Sequence, residues 1–221
     1  MATYGSDEEQ LEALQNWWKE NGSSLLTGVV IVLVVFFGNR YWQGSVQANA
    51  EAASALYDGI MERMAVNVNA EINDEDLAAI EENYDELRNS FPDSIYARYG
   101  AMMLASAYVS KANYDQAAAE LNWVMENQEL GFMQSAEPEL FLITRLKLAR
   151  VRLAQEQPQA ALDLLSVVDP GVLAAGFAEV QGDAYTQLGQ LEQARAAYQR
   201  AIGLGPENAS LIELKLRGLD S

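Results

Sequence analysis

Leu25-Leu26-Thr27-Gly28-Val29-Val30-Ile31-Val32-Leu33-Val34-Val35-Phe36-Phe37-Gly38 is uncharged, free of proline and carries one hydroxyl. Extended to residues 22–41, it gains only Ser23, Ser24, Asn39 and Arg40 as polar members. As a helix, residues 18–41 rise about 35 Å at roughly 1.5 Å per residue, matching a hydrocarbon core of about 30 Å plus part of the headgroup region. Trp17 and Trp18 precede the stretch and Tyr41 and Trp42 follow it, so each end can place amphipathic rings at an interface. Arg40 lies close enough to the end to snorkel. The residues expected to face lipid are Leu25, Leu26, Gly28, Val29, Ile31, Leu33, Phe36 and Phe37. A buried soluble helix has no need of aromatic pairs at both ends. A cleaved signal peptide opens on a basic region and reaches its cleavage site soon after the apolar run. Here Asp7, Glu8, Glu9 and Glu12 come first, and the A-x-A match at Ala48-Asn49-Ala50 lies beyond Arg40, Tyr41 and Trp42. The expectation is an uncleaved single-span anchor over residues 23–42.

Upstream, residues 1–22 form an acidic tail. Ser6-Asp7-Glu8-Glu9 has the form of a capping box, and Leu11, Leu14 and Trp18 form a narrow apolar stripe. Both a short helix along the membrane surface and a plain extension of the spanning helix fit this tail. Lys19 and Arg40 stand one on each side of the span, so the excess of basic residues that marks a cytoplasmic flank is tied. Ser24 and Gly28 are spaced to allow close approach of another helix.

The chain has 221 residues, a formal charge of -18, and neither cysteine nor histidine. About 175 residues follow the anchor, enough for one domain with a sizeable core. Such acidity argues against a nucleic-acid partner, which requires a basic footprint, and against adsorption to anionic lipid heads. Missing thiols and imidazoles remove the usual nucleophiles, general bases and metal ligands. We therefore expect no catalytic residues, no cofactor and no metal.

Downstream the pattern is helical throughout, so the fold class expected is all-α. Residues 47–91 read as an irregular helix pair. Ala48, Ala52, Ala55, Leu56, Ile60 and Met64 mark its first helix, and Leu77, Ile80, Tyr84 and Leu87 its second. Asn73 or Asp74 can cap the second helix, and Phe91-Pro92 stops it. The acids Asp74-Glu75-Asp76 suit a helix N-terminus better than a calcium loop. Residues 175–208 then fit the tetratricopeptide pattern of two crossing helices. Gly182 and Tyr185 take the small and aromatic places of the first helix, and Gly189 the turn. Ala194, Tyr198 and Ala201 belong to the second helix, which Pro206 ends. Small residues are required where two helices touch. The frame extends to residues 142–174 through Ala149 and Ala161, and to about 98–127 through Ala105, Tyr108 and Ala117. The excess length between these two units falls in residues 128–135, read as a loop. A short helix at 210–217 can cover the last pair, as terminal units must. Residues 43–221 thus form a tetratricopeptide-like α-solenoid.

The arrangement as a whole resembles the YfgM-like family of ancillary subunits of the bacterial SecYEG translocon. The residues that carry the resemblance are Asn16-Trp17-Trp18-Lys19-Glu20-Asn21-Gly22, the glycine-bearing span, Arg40-Tyr41-Trp42, Phe91-Pro92-Asp93-Ser94-Ile95-Tyr96-Ala97 and Leu148-Ala149-Arg150-Val151. The resemblance covers nearly the full length. It implies a single-pass inner-membrane protein with a cytoplasmic tail and periplasmic repeats, whose partners are the lipid bilayer, the SecYEG translocon and a membrane-anchored periplasmic chaperone of the PpiD type. The alternative from the residues alone is a membrane-tethered regulatory adaptor in signalling or stress response, with the same parts turned over.

Stacked helix pairs leave a concave surface lined by their first helices. By repeat position, Tyr99, Met102, Ser106, Ile143, Leu146, Arg150, Glu179 and Asp183 are candidates to face that groove, with Met102, Ile143 and Leu146 equally readable as core. The paired carboxylates Glu81-Glu82 are expected on a solvated face.

Overall fold

The computed structural model describes residues 4–66, 72–127, 138–206 and 208–219, and among these it is all-helical, with no strand. The chain divides into two compact units, residues 1–51 and 52–221.

The first unit is helical from Tyr4, within α1 (Tyr4–Val66). Because α1 begins before Ser6, the expected capping box lies inside the helix and does not open it. The helix is unbroken through Trp17 and Trp18 into the apolar stretch, so the tail is an extension of the same helix, not a separate element. Within this unit α1 is long and apolar enough to cross a membrane, with a mean hydropathy of 2.0 over its most apolar window. Leu25, Val32 and Phe37 are 45%, 66% and 62% exposed, so this stretch is not buried among the described residues. Two polar side chains at and before this stretch bond back along the helix: the Thr27 hydroxyl donates to the Ser23 carbonyl at 2.8 Å, and the Asn21 amide to that of Trp17 at 3.1 Å. That is the arrangement a segment without access to water requires.

The second unit opens with the last residues of α1 and continues as α2 (Asp74–Ser90), α3 (Ile95–Ser110), α4 (Tyr114–Glu126), α5 (Pro138–Ala154), α6 (Pro158–Ser166), α7 (Ala174–Gln187), α8 (Leu191–Gly203) and α9 (Ala209–Gly218). The alanine register of α1 needs correction. Ala48, Ala52 and Ala55 are exposed, whereas Ala53 and Ile60 are buried. A methyl group gains little by burial, so the larger Ile60 sets the face that turns inward. In α2, Ile80, Tyr84 and Leu87 are buried as its period requires. Asn73 caps it, its side-chain oxygen accepting from the Asp76 amide at 2.8 Å. Ser94 caps α3 in the same way, accepting from the Ala97 amide at 3.1 Å; the sequence reading had not identified that cap.

Three helix pairs follow: α3 with α4, α5 with α6, and α7 with α8. Ala105 and Ala117, Ala149 and Ala161, and Gly182 and Ala194 occupy matching places in the three pairs, and all six are buried. At Gly182 the packing is closest, since a Cβ there would overlap the Tyr198 ring. The turns also match. Ala112, Glu156 and Gly189 all adopt positive φ, at 58°, 59° and 70°. The amides of Asn113, Gln157 and Gln190 then each donate back at 2.8 Å, to the carbonyls of Tyr108, Arg152 and Tyr185. This is the Schellman closure, which satisfies the last carbonyls of the first helix and reverses the chain. Tyr185 is half-buried against the Tyr198 cluster, and Ala201 lies within it. The α8 helix ends at Gly203, ahead of Gly205 (φ 70°) and Pro206. The loop expected at 128–135 lies outside the described residues.

Two polar features bind neighbouring elements together. Arg98 is buried at 1% exposure and donates to the carbonyls of Asn127 (2.8 Å), Ser94 (2.9 Å) and Pro92 (3.2 Å), joining the start of α3 to the end of α4. Glu81, expected in solvent with Glu82, is instead half-buried and accepts from the Tyr108 hydroxyl at 2.8 Å; Glu82 is exposed. The phenol of Tyr108 needs a partner once its ring is buried, and Glu81 is within reach.

Candidate functional site

The first helices of the pairs, with α9 and with Tyr114, Leu121 and Tyr198 of the second helices, line two depressions that share Arg150 and Ala154. The helical period places these residues there. Ser106 on α3, Arg150 on α5 and Asp183 on α7 each follow the buried small residue of their helix by one position.

The depression between α5, α7 and α9 is polar and largely neutralised from within. Lys215 of α9 donates to Glu179 at 2.8 Å and to Asp183 at 2.8 and 2.9 Å, and Asn208 donates to Glu179 at 3.1 Å. Arg150 stands 3.9 Å from Glu179. Burial pushes the Glu179 carboxyl up, but the hydrogen bonds from Lys215 and Asn208 outweigh it and hold the group below its ordinary value. Burial likewise opposes the charge on Lys215, but Asp183 and Glu179 raise its affinity for the proton. The Tyr198 hydroxyl donates to Asp183 at 2.8 Å, and burial raises that phenol. The terminal helix is therefore held by an ion-pair cluster as well as by the apolar contact of Ile212.

The depression between α3, α4 and α5 differs in kind. Its walls are Ala105, Val109, Leu121, Val151 and Ala154, with Tyr114 at one side, and its polar groups are Ser106, Lys147 and Arg150. The Lys147 ammonium donates to the Ser106 hydroxyl at 3.2 Å, and that hydroxyl donates in turn to the Met102 carbonyl at 2.9 Å. Burial, and then Arg150, lower the affinity of Lys147 for its proton.

Of the expected groove residues, Arg150, Glu179 and Asp183 come together in one depression, and Ser106 joins Arg150 in the other. Tyr99 lines neither; it is half-buried, with its ring centroid 6.3 Å from that of Tyr57. Met102 is a correction. It is 7% exposed within the main core, and its sulfur accepts from the buried Thr144 hydroxyl at 3.4 Å. Leu146 is core at 7% exposure, while Ile143 is 37% exposed. Lys147 and Lys215 line the groove and had not been identified from the sequence. A signal for the first existed: Lys147 and Arg150 are two cations three apart on one helix of a strongly acidic chain. Nothing local marks Lys215, whose partners lie 32 and 36 residues away.

The family model described as a tetratricopeptide repeat-like domain matches residues 15–221. The chain is also similar, over essentially its whole length, to proteins named ancillary SecYEG translocon subunit. That of Escherichia coli K12 is 27% identical over 221 residues, covering 99% of each chain. That of Neisseria gonorrhoeae is 25% identical over 222 residues, covering 100% of this chain and 99% of the relative. The Haemophilus influenzae protein is 26% identical over 220 residues, covering 99% and 100%.

Proposed function

Because the chain belongs to the tetratricopeptide repeat-like domain family, whose members stack helix pairs into binding surfaces, we propose that it is an ancillary, non-enzymatic scaffold subunit of the Sec translocon. Residues 1–22 form the cytoplasmic tail, residues 23–42 cross the inner membrane beside the channel, and residues 43–221 stand in the periplasm. There the repeats bring a membrane-anchored chaperone of the PpiD type to exported chains as they emerge. The observation that carries this reading is the end-to-end similarity to proteins named for the SecYEG translocon. The uncovered apolar helix supports it, since a protein with such a segment needs a bilayer.

Purification of the tagged full-length protein after mild detergent extraction tests the association. Recovery of SecY and of a periplasmic chaperone is expected; recovery of neither overturns the reading. Orientation is tested apart from partners, with a Ser221→Cys variant and a membrane-impermeant maleimide. Labelling in intact spheroplasts is expected. Labelling only after lysis would put the repeats in the cytoplasm and favour a membrane-tethered regulatory adaptor.

A further inference from the structure

The depression between α3, α4 and α5 presents two cations and no carboxylate among its lining residues, in a chain with 32 acidic side chains, and of the two only Arg150 reaches a carboxylate, that of Glu179 in the adjoining depression at 3.9 Å. Residues 52–221 contain three lysines. Lys111 pairs with Asp74 at 2.8 Å, and Lys215 pairs with Glu179 and Asp183. Lys147 is half-buried, yet among the described residues its hydrogen bond is to a neutral hydroxyl and it forms no ion pair. Its neighbour along the helix, Arg150, bears the same sign, and like charges at that spacing repel. A buried ammonium gains most from a charged acceptor. Ser106 is committed as donor to the Met102 carbonyl, which leaves Lys147 with donors to spare above an apolar floor. The hollow and the neighbouring depression share Arg150 and Ala154 among their lining residues, and both are open to solvent, so a bound polypeptide can extend from one toward the other and need not end there.

From this geometry we propose that the hollow binds an acidic side chain, glutamate or aspartate, of an internal segment of a partner polypeptide. The carboxylate meets Lys147 and Arg150, and the aliphatic stem lies against Val109, Val151 and Ala154. The proposal deepens the scaffold reading by assigning a ligand class to one part of the groove, and it holds whether or not the partner is a translocon component.

The test uses the full chain in non-ionic detergent and fluorescent decapeptides blocked at both ends. One carries a central glutamate flanked by valine and leucine, a second carries glutamine in its place, and a third is the glutamine peptide with a free C-terminal carboxylate. Anisotropy should show the glutamate peptide binding about tenfold tighter than the glutamine peptide at low salt. The preference should shrink with added salt and vanish in Lys147→Met, which keeps the apolar stem. The melting temperature of Lys147→Met without peptide should equal or exceed that of the parent protein, because the variant loses a poorly compensated charge. Equal binding of the two blocked peptides overturns the proposal, as does a preference that survives Lys147→Met. A preference seen only with the free C-terminus overturns the assignment to a side chain. A large fall in melting temperature for Lys147→Met would make the lysine a structural group and overturn it as well. Co-purification with SecY is independent of all four outcomes, so failure here and failure of the scaffold reading are distinguishable.

Discussion

At the scale of single residues, the repeat depends on what each position excludes. Gly182 faces the Tyr198 ring so closely that a methyl group cannot be added without moving it. Gly182→Ala is expected to cost about 2 kcal/mol, in the range of overpacked cores, and to cost less in a Tyr198→Leu background, where the obstructing ring is gone. Chemical denaturation of the four proteins of that cycle measures the coupling. The turns make a complementary case. Gly189 has the residue that positive φ favours, whereas Ala112 and Glu156 hold the same conformation with a Cβ. That conformation costs a non-glycine residue about 1–2 kcal/mol, offset in part by the extra freedom of glycine in the unfolded chain. Ala112→Gly and Glu156→Gly should therefore each stabilise by about 0.5 kcal/mol or more, visible as higher melting temperatures. Gly189→Ala should move in the opposite direction.

Among the elements, α9 is held by a cluster of opposite charges around Lys215. Glu179 titrates below its ordinary value, so its contribution is present above the unfolded carboxylate range and is lost as pH falls through the depressed value. Lys215 titrates above its ordinary value of 10.5, so its contribution is complete below that value and disappears as pH rises through the elevated one. Protection of α9 amides against hydrogen exchange, corrected for intrinsic rates, should be greatest around neutrality and fall at both ends. At neutral pH, Lys215→Met should speed exchange in α9 about tenfold while leaving α3 and α4 unchanged, since loss of a charge-assisted hydrogen bond costs about 1.5–3 kcal/mol. Equal loss throughout the repeats would mean that α9 opens only with the whole unit. Charge also joins other elements, through Arg63 with Asp76 at 2.9 Å, Arg88 with Glu120 at 3.1 Å and Lys111 with Asp74 at 2.8 Å, whereas Arg98 joins α3 to the end of α4 through carbonyls.

For the molecule as a whole, the prediction is integral membrane behaviour. Alkaline carbonate washing should leave the full-length protein in the vesicle pellet, and release into the supernatant would contradict the spanning role of residues 23–42. The all-helical class, the apolar helix and the three-pair frame were legible in the sequence because each rests on local spacing. An uncharged run of membrane length, small residues at fixed intervals, and Gly189 and Pro206 at chain reversals each act within a few residues of one another. The same locality explains the misplacements. Alanine periodicity in residues 48–55 could not choose a buried face, because alanine fits either side. Met102 read as a groove residue from its repeat position, yet it lies beneath the surface because Thr144 and the surrounding core enclose it. Glu81 met Tyr108 only once α2 and α3 had packed. The groove itself was decided by the tertiary structure. Glu179, Asp183 and Lys215 neutralise one another, and Lys147 is set half-buried beside Arg150, only when helices distant in sequence are stacked. Sequence by itself determined what is greasy, what is small and where the chain turns, because those are properties of neighbours along the backbone. Which charges are satisfied and which are left waiting was fixed by packing, because desolvation and pairing depend on what surrounds a group in space.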